Sequence, residues 1–159
     1  MRSKIGAGIV AGLIAGVEFG VMMHLITTPM PMGGRMPMMT MMANVVRSDS
    51  LVAGWIYLLV NSVVMGGLFG IVLGDRARRI GGALVWGTLY GVLLWFLGAL
   101  VLMPVLLGMA AFAPITMPSM RPGAWQSLGA HVLSGLILGG VFSALYRGHH
   151  EASPQTRVR

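Results

Sequence analysis

Four long apolar runs, separated by shorter polar stretches, dominate the chain. They cover about residues 5–28, 51–74, 81–103 and 124–146, and all four lack lysine and arginine. About 20 helical residues cross roughly 30 Å of hydrocarbon, so each run is long enough to span a bilayer. The pattern predicts an all-α integral membrane protein, a four-transmembrane-helix bundle that forms one domain over residues 1–146. A polar cytoplasmic tail is predicted over residues 147–159.

The first run follows Arg2 and Lys4, as the core of a secretory signal peptide would. It is longer than a usual signal core, and it reaches Pro29 without a clear small-residue cleavage site. We therefore expect this run to be retained as a transmembrane helix.

The basic residues predict the orientation of the helices. Eight of them are predicted to lie on one side of the membrane: Arg2, Lys4, Arg76, Arg78, Arg79, Arg147, Arg157 and Arg159. Only Arg35, Arg47 and Arg121 fall on the other side. Because cytoplasmic loops carry an excess of lysine and arginine, the first side is predicted to be the cytoplasm, with both termini inside.

Composition excludes several classes of function. The chain is 56% hydrophobic and 9% charged, and it contains no cysteine, which excludes disulfides, zinc–cysteine sites and thiol catalysis. Its net charge of +7 is concentrated at the ends of the apolar runs. That placement favours contact with the lipid bilayer and predicts no nucleic-acid partner.

The two halves of the chain resemble each other. Sliding the sequence along itself places Gly12 on Gly87, Gly16 on Gly91 and Pro29 on Pro104. After an insertion or deletion, it also places Trp55 on Trp125, Asn61 on His131, Leu68 on Leu138 and Gly70 on Gly140. Chance matching of abundant glycine and leucine is the alternative. The paired prolines and tryptophans favour two copies of a helix hairpin, arranged as a parallel repeat about an axis along the membrane normal.

Glycines four residues apart recur within the runs. Such residues share one helix face and let two backbones approach closely, which is how helices associate in lipid. We expect helix packing at Gly12, Gly16, Gly66, Gly70, Gly87, Gly91, Gly135 and Gly139.

Three polar residues are predicted at similar depths inside the membrane. Glu18 is the single acid within a run, and Asn61 and His131 lie in the second and fourth runs. A charge at that depth costs several kcal/mol unless it is paired, hydrated or neutralised. The residues are either a buried polar cluster that relays protons or binds an ion, or separate donors and acceptors of interhelical hydrogen bonds.

The first outer connection is rich in methionine, with seven methionines between Met30 and Met42. Thioethers select Cu(I), so a copper site is one hypothesis, with candidate ligands His24, His131, Met30, Met32, Met36, Met38 and Met39. The alternative is that methionine serves as a flexible apolar filler. Haem b held between His24 and His131 is a further hypothesis, because two histidines on different helices can supply both axial ligands. The leading prediction is that the protein has no cofactor.

Several segments together resemble the YagU-like family of bacterial inner-membrane proteins. They are Gly12-Leu-Ile-Ala-Gly-Val17 leading to Pro29, Phe69-Gly-Ile-Val-Leu-Gly74, Trp86-Gly-Thr-Leu-Tyr-Gly91 leading to Met103-Pro104, and Leu128-Gly-Ala-His131-Val. The resemblance implies a small multi-pass protein of the bacterial inner membrane and supplies no reaction. Asn61 stands where the family would have a histidine.

The usual catalytic constellations are absent from the sequence, so we expect the protein not to be an enzyme. The leading hypothesis is a non-catalytic membrane component, either a subunit of a larger membrane complex or a homo-oligomer. The alternative is a protein that handles an ion, protons or Cu(I).

Overall fold

The computed structural model describes residues 4–29 and 34–147. In chain order its elements are α1 (Lys4–Leu25), β1 (Thr27–Pro29), β2 (Arg35–Pro37), α2 (Met39–Val45), α3 (Leu51–Leu73), α4 (Ile80–Leu94), a π-helical segment (Trp95–Leu102), α5 (Met103–Leu106), α6 (Ala113–Thr116) and α7 (Arg121–Arg147). Four helices are long and apolar enough to cross a membrane: α1, α3, the continuous helix Ile80–Leu106 and Arg121–Tyr146 of α7. The prediction of four apolar helices is therefore confirmed. The predicted tail lies outside the described residues, except for Arg147.

The helix boundaries differ from the predicted ones at the end of the bundle that carries residues 26–50 and 107–120, here called the loop end. Helix α1 stops at Leu25 because the next residues pair with β2 as a short antiparallel strand. The third spanning helix continues to Leu106, through Pro104. Proline has no N–H for the carbonyl of Leu100, and that carbonyl instead accepts the N–H of Phe112 at 2.6 Å.

The helices form two close pairs. Glycines bring α1 against α3: a Cβ added at Gly12 would lie 2.7 Å from the Cα of Gly66, closer than real side chains approach. Glycines likewise bring α4 against α7, where a Cβ at Gly87 would lie 3.1 Å from the Cα of Gly139. Close backbone contact of this kind is how small residues let helices associate in lipid.

Contacts between α1 and α7 join the two pairs. Near the C-terminal ends of α3 and α7, Phe69 and Phe142 are fully buried, and their rings meet edge-on with centroids 5.4 Å apart. Helix α3 approaches α4 mainly through one side chain, Tyr90, whose hydroxyl donates to the carbonyl of Met65 at 2.9 Å. The bundle is therefore closed between α1 and α7 and less tightly packed between α3 and α4.

The opposite end of the bundle carries residues 74–79 and is here called the turn end. Ion pairs there join the start of α1 to the turn between α3 and α4. Asp75 accepts from Lys4 at the start of α1, and from Arg78 at 2.6 Å. These hydrogen bonds, that from Lys4 foremost, hold the pKa of the Asp75 carboxyl below its ordinary value. The guanidinium of Arg76 lies over the ring of Trp86, 5.7 Å from its centroid.

Candidate functional site: a cavity between the helix pairs

A cavity of about 680 Å³ lies between the two helix pairs, and all four spanning helices contribute to its lining. We call it the central cavity. Tyr90 and Met65, which bond to each other, lie at the part of the lining nearest the turn end, together with Leu138. Its volume falls within the range of about 300–1,000 Å³ that is usual for small-molecule sites.

The lining is mostly apolar and rich in methionine. The two connections at the loop end contribute Met38, Met41, Met42, Met109, Met117 and Met120. Methionine is unbranched and flexible, so such a lining adapts to the shape of an apolar molecule, and its thioethers are also soft metal ligands.

Two of the predicted polar residues, Asn61 and His131, line this cavity, but each bonds to its own helix. Asn61 donates through Nδ2 to the carbonyl of Tyr57 at 3.0 Å. The Nδ1 atom of His131 lies 2.8 Å from the carbonyl oxygen of Ser127. Because a carbonyl only accepts, Nδ1 carries a proton, and in the neutral imidazole Nε2 is then an acceptor.

The ring of His131 also contacts the edge of Phe19 on α1, with centroids 4.5 Å apart. This contact and the bond to Ser127 fix the orientation of the imidazole. His131 therefore helps to hold α1 against α7 and at the same time borders the cavity.

Glu18 lies beside the cavity, outside its lining, in the seam between α1 and α7. Its Oε2 accepts from the hydroxyl of Ser134 at 2.6 Å, whereas Oε1 is buried and has no partner among the described residues. Ser134 does line the cavity. The structure thus links Glu18 to the cavity wall through Ser134, and it does not bond Glu18 to Asn61 or His131.

The candidate metal ligands are distributed unevenly. Met38 lines the cavity, Met39 is fully buried against α3, and Met36 lies half-buried in β2. His24 is exposed at the end of α1 and lies outside the cavity lining. Met30 and Met32 lie outside the described residues. Over residues 4–29 and 34–147, no three histidine or acidic side chains cluster as metal ligands.

Sequence reasoning missed three residues that shape the site: Tyr90, Ser134 and Trp95. Trp95 donates from its indole to the carbonyl of Ala124 at 3.2 Å and stacks on Trp125, which fixes the wall formed by the π-helical segment. Tyr90 could have been noticed as a phenol in the middle of an apolar run. A serine in such a run gives no comparable signal, because its hydroxyl commonly bonds within its own helix.

No protein-family model, curated protein or solved structure matches the chain.

Proposed function

We propose that the protein is a multi-pass component of the bacterial inner membrane with both termini in the cytoplasm, and that it belongs with YagU-like proteins. The loop end then faces outward and the turn end faces the cytoplasm. The eight-to-three distribution of basic residues supports this orientation. The motifs that include Gly12, Trp86 and His131 support the family.

The bundle consists of two parallel repeats. Gly12 packs against Ser62 and Gly66, as Gly87 packs against Gly135 and Gly139. These contacts support an equivalence of α1 with α4 and of α3 with α7.

The packing favours a register different from that of the sequence comparison. It equates Gly66 with Gly139 and Phe69 with Phe142, whereas the sequence comparison placed Gly70 on Gly140. The edge-on contact of Phe69 with Phe142 is what residues near a local two-fold axis would make.

Its function is that of a non-catalytic subunit, which assembles with its own copies or with a larger membrane complex. The observation that carries this proposal is how the polar side chains within the spans are used. Asn61, Ser62 and His131 each bond to a carbonyl four residues earlier in the same helix, as structural groups do. The glycine contacts provide close packing without reactive chemistry.

Native mass spectrometry in a mild detergent tests this proposal. The expected result is a mass above that of the 16.9 kDa chain, from further copies or other subunits. A strictly monomeric chain would contradict the proposed assembly, and turnover of a substrate would contradict the non-catalytic role.

Copper handling is the second candidate, because methionines from two separate connections converge on one cavity. The test is Cu(I) titration against a competing chelator, with Met38→Leu and Met120→Leu combined as the site variant. Met22→Leu is the control, since Met22 lies outside the lining. One Cu(I) per chain, lost only in the site variant, would support copper; no binding would exclude this candidate. The exposed position of His24 gives haem less support than copper.

A further inference from the structure

The two sides of the local two-fold arrangement are packed unequally. On one side, α1 and α7 meet through Phe19 with His131 and Glu18 with Ser134. On the equivalent side, α4 approaches α3 mainly through Tyr90. Between that contact and the loop end, Asn61 lines the cavity from α3, and Leu94 and Gly98 line it from the other helix. The less tightly packed seam therefore borders the cavity.

The outer surfaces on either side of this seam are apolar. Val60 and Val64 of α3 are exposed, as are Leu93 and Leu97 of the facing helix. In the membrane placement proposed above, on which this inference rests, lipid tails would cover these residues. A molecule dissolved in the bilayer would reach the seam without crossing water.

The cavity lining includes two half-buried side-chain atoms, one of His131 and one of Asn61, that can only accept a hydrogen bond and lack a donor. In the neutral imidazole of His131, Nδ1 carries the proton and Nε2 is an acceptor, to which no described residue donates. Asn61 commits Nδ2 to Tyr57, and its Oδ1 has no donor among the described residues. Neither atom is among the fully buried unpaired atoms, so each keeps some exposed surface, and both residues line the cavity. An apolar cavity with two unpaired acceptors is complementary to an apolar molecule that carries a hydroxyl donor.

We propose that the central cavity binds a membrane-dissolved apolar alcohol, which passes between α3 and α4 and donates its hydroxyl to His131 or Asn61. The methionines and leucines of the lining surround its hydrocarbon part. The two acceptors favour the alcohol over an ordinary acyl chain, because an acyl chain has no hydrogen-bond donor.

The probes are hexadecanol carrying a diazirine in mid-chain and the methyl ether of the same molecule. The two differ in one donor group and share the same photoreactive chain. After illumination of the purified full-length protein in lipid nanodiscs, mass spectrometry maps the labelled residues. We expect the alcohol to label cavity residues such as Met65 and Leu94 about three- to tenfold more than the ether does, the range expected for one hydrogen bond. Both probes should label the lipid-facing Leu89 equally.

Substitution of the acceptors tests the recognition. His131→Leu and Asn61→Leu are made separately, and the variant that removes the acceptor used by the hydroxyl should abolish the excess of alcohol over ether labelling. Two variants are used because His131 also packs against Phe19. An excess that survives in both variants would overturn the assignment of the hydroxyl site.

A plug in the cavity tests the binding space. Gly98 lines the cavity, and a Cβ there meets no atom within 4 Å, so Gly98→Phe adds a ring without a collision at its base. Gly129→Phe is the matched control: Gly129 also has open space at its Cβ, but it is exposed and lies outside the lining. We expect Gly98→Phe to reduce cavity labelling at least tenfold and Gly129→Phe to leave it unchanged.

Three results would overturn the proposal: equal labelling of the cavity by alcohol and ether, labelling confined to lipid-facing residues, or cavity labelling that Gly98→Phe does not reduce. Each of these can occur while the four-span topology stands. Failure of the cavity proposal is therefore distinguishable from failure of the membrane placement.

Discussion

The substitution Gly66→Ala should separate two helices that the native chain holds in backbone contact. A Cβ at Gly66 would lie 2.7 Å from the Cα of Gly12, whereas ordinary contacts of this kind are 3.4–4 Å. The α1 and α3 backbones must move apart by about 1 Å to admit the methyl group. Overpacking of this kind costs about 1–3 kcal/mol. Alanine offsets about 1 kcal/mol of that through its higher helix propensity.

Gly129→Ala measures the gain in helix propensity alone, without overpacking. Gly129 lies within α7 with nothing near the position of a Cβ, so its substitution retains only the gain in helix propensity. The free energies of unfolding of the two variants should differ by about 1–3 kcal/mol, which is the overpacking cost. The assay is equilibrium unfolding by sodium dodecyl sulfate in mixed micelles, followed by tryptophan fluorescence. Equal stability of Gly66→Ala and Gly129→Ala would refute the close approach of α1 and α3.

Two further predictions concern the turn end and the seam between α3 and α4. Because Lys4 and Arg78 hold the pKa of Asp75 below its ordinary 3.8, the stability from these ion pairs should be full above that value and lost as the pH falls through the lower folded pKa. In unfolding titrations at pH 7 and pH 3, Asp75→Asn should therefore lose less stability on acidification than the native chain; an identical loss would contradict the role of the ion pairs. Tyr90→Phe removes the hydroxyl that bonds the carbonyl of Met65, and it should lower the free energy of unfolding by about 0.5–1.5 kcal/mol in the same assay. No change would mean that this bond does not hold α3 to α4.

The sequence was sufficient to predict the four apolar helices, because each must satisfy its own backbone groups and needs a long run to do so. The helix ends were predicted less well. Helix α1 ends early because Thr27–Pro29 pair with Arg35–Pro37, and that pairing depends on how the connection folds back. The third helix continues through Pro104 because a distant N–H, from Phe112, satisfies the carbonyl that proline leaves free.

The candidate site was less predictable than the helices. Counting residues along a helix gives the depth of Glu18, Asn61 and His131, but the direction of each side chain depends on the rotation of its helix. Neighbouring helices fix that rotation through contacts such as that of Phe19 with His131. Glu18 consequently meets Ser134 rather than the two residues at similar depth. The cavity depends on the spacing between α3 and α4, and no local pattern in the chain encodes that spacing.

The orientation in the membrane can be measured directly because the chain contains no cysteine of its own. Asp49→Cys introduces a single thiol in the connection before α3, and Ser153→Cys introduces one in the C-terminal tail. Intact cells expressing either variant are treated with a membrane-impermeant maleimide, with and without permeabilisation of the inner membrane. Asp49→Cys should be labelled in intact cells and Ser153→Cys only after permeabilisation, as expected when the loop end faces outward and the C-terminal tail lies in the cytoplasm. The reverse pattern, or labelling of both thiols in intact cells, would contradict this orientation.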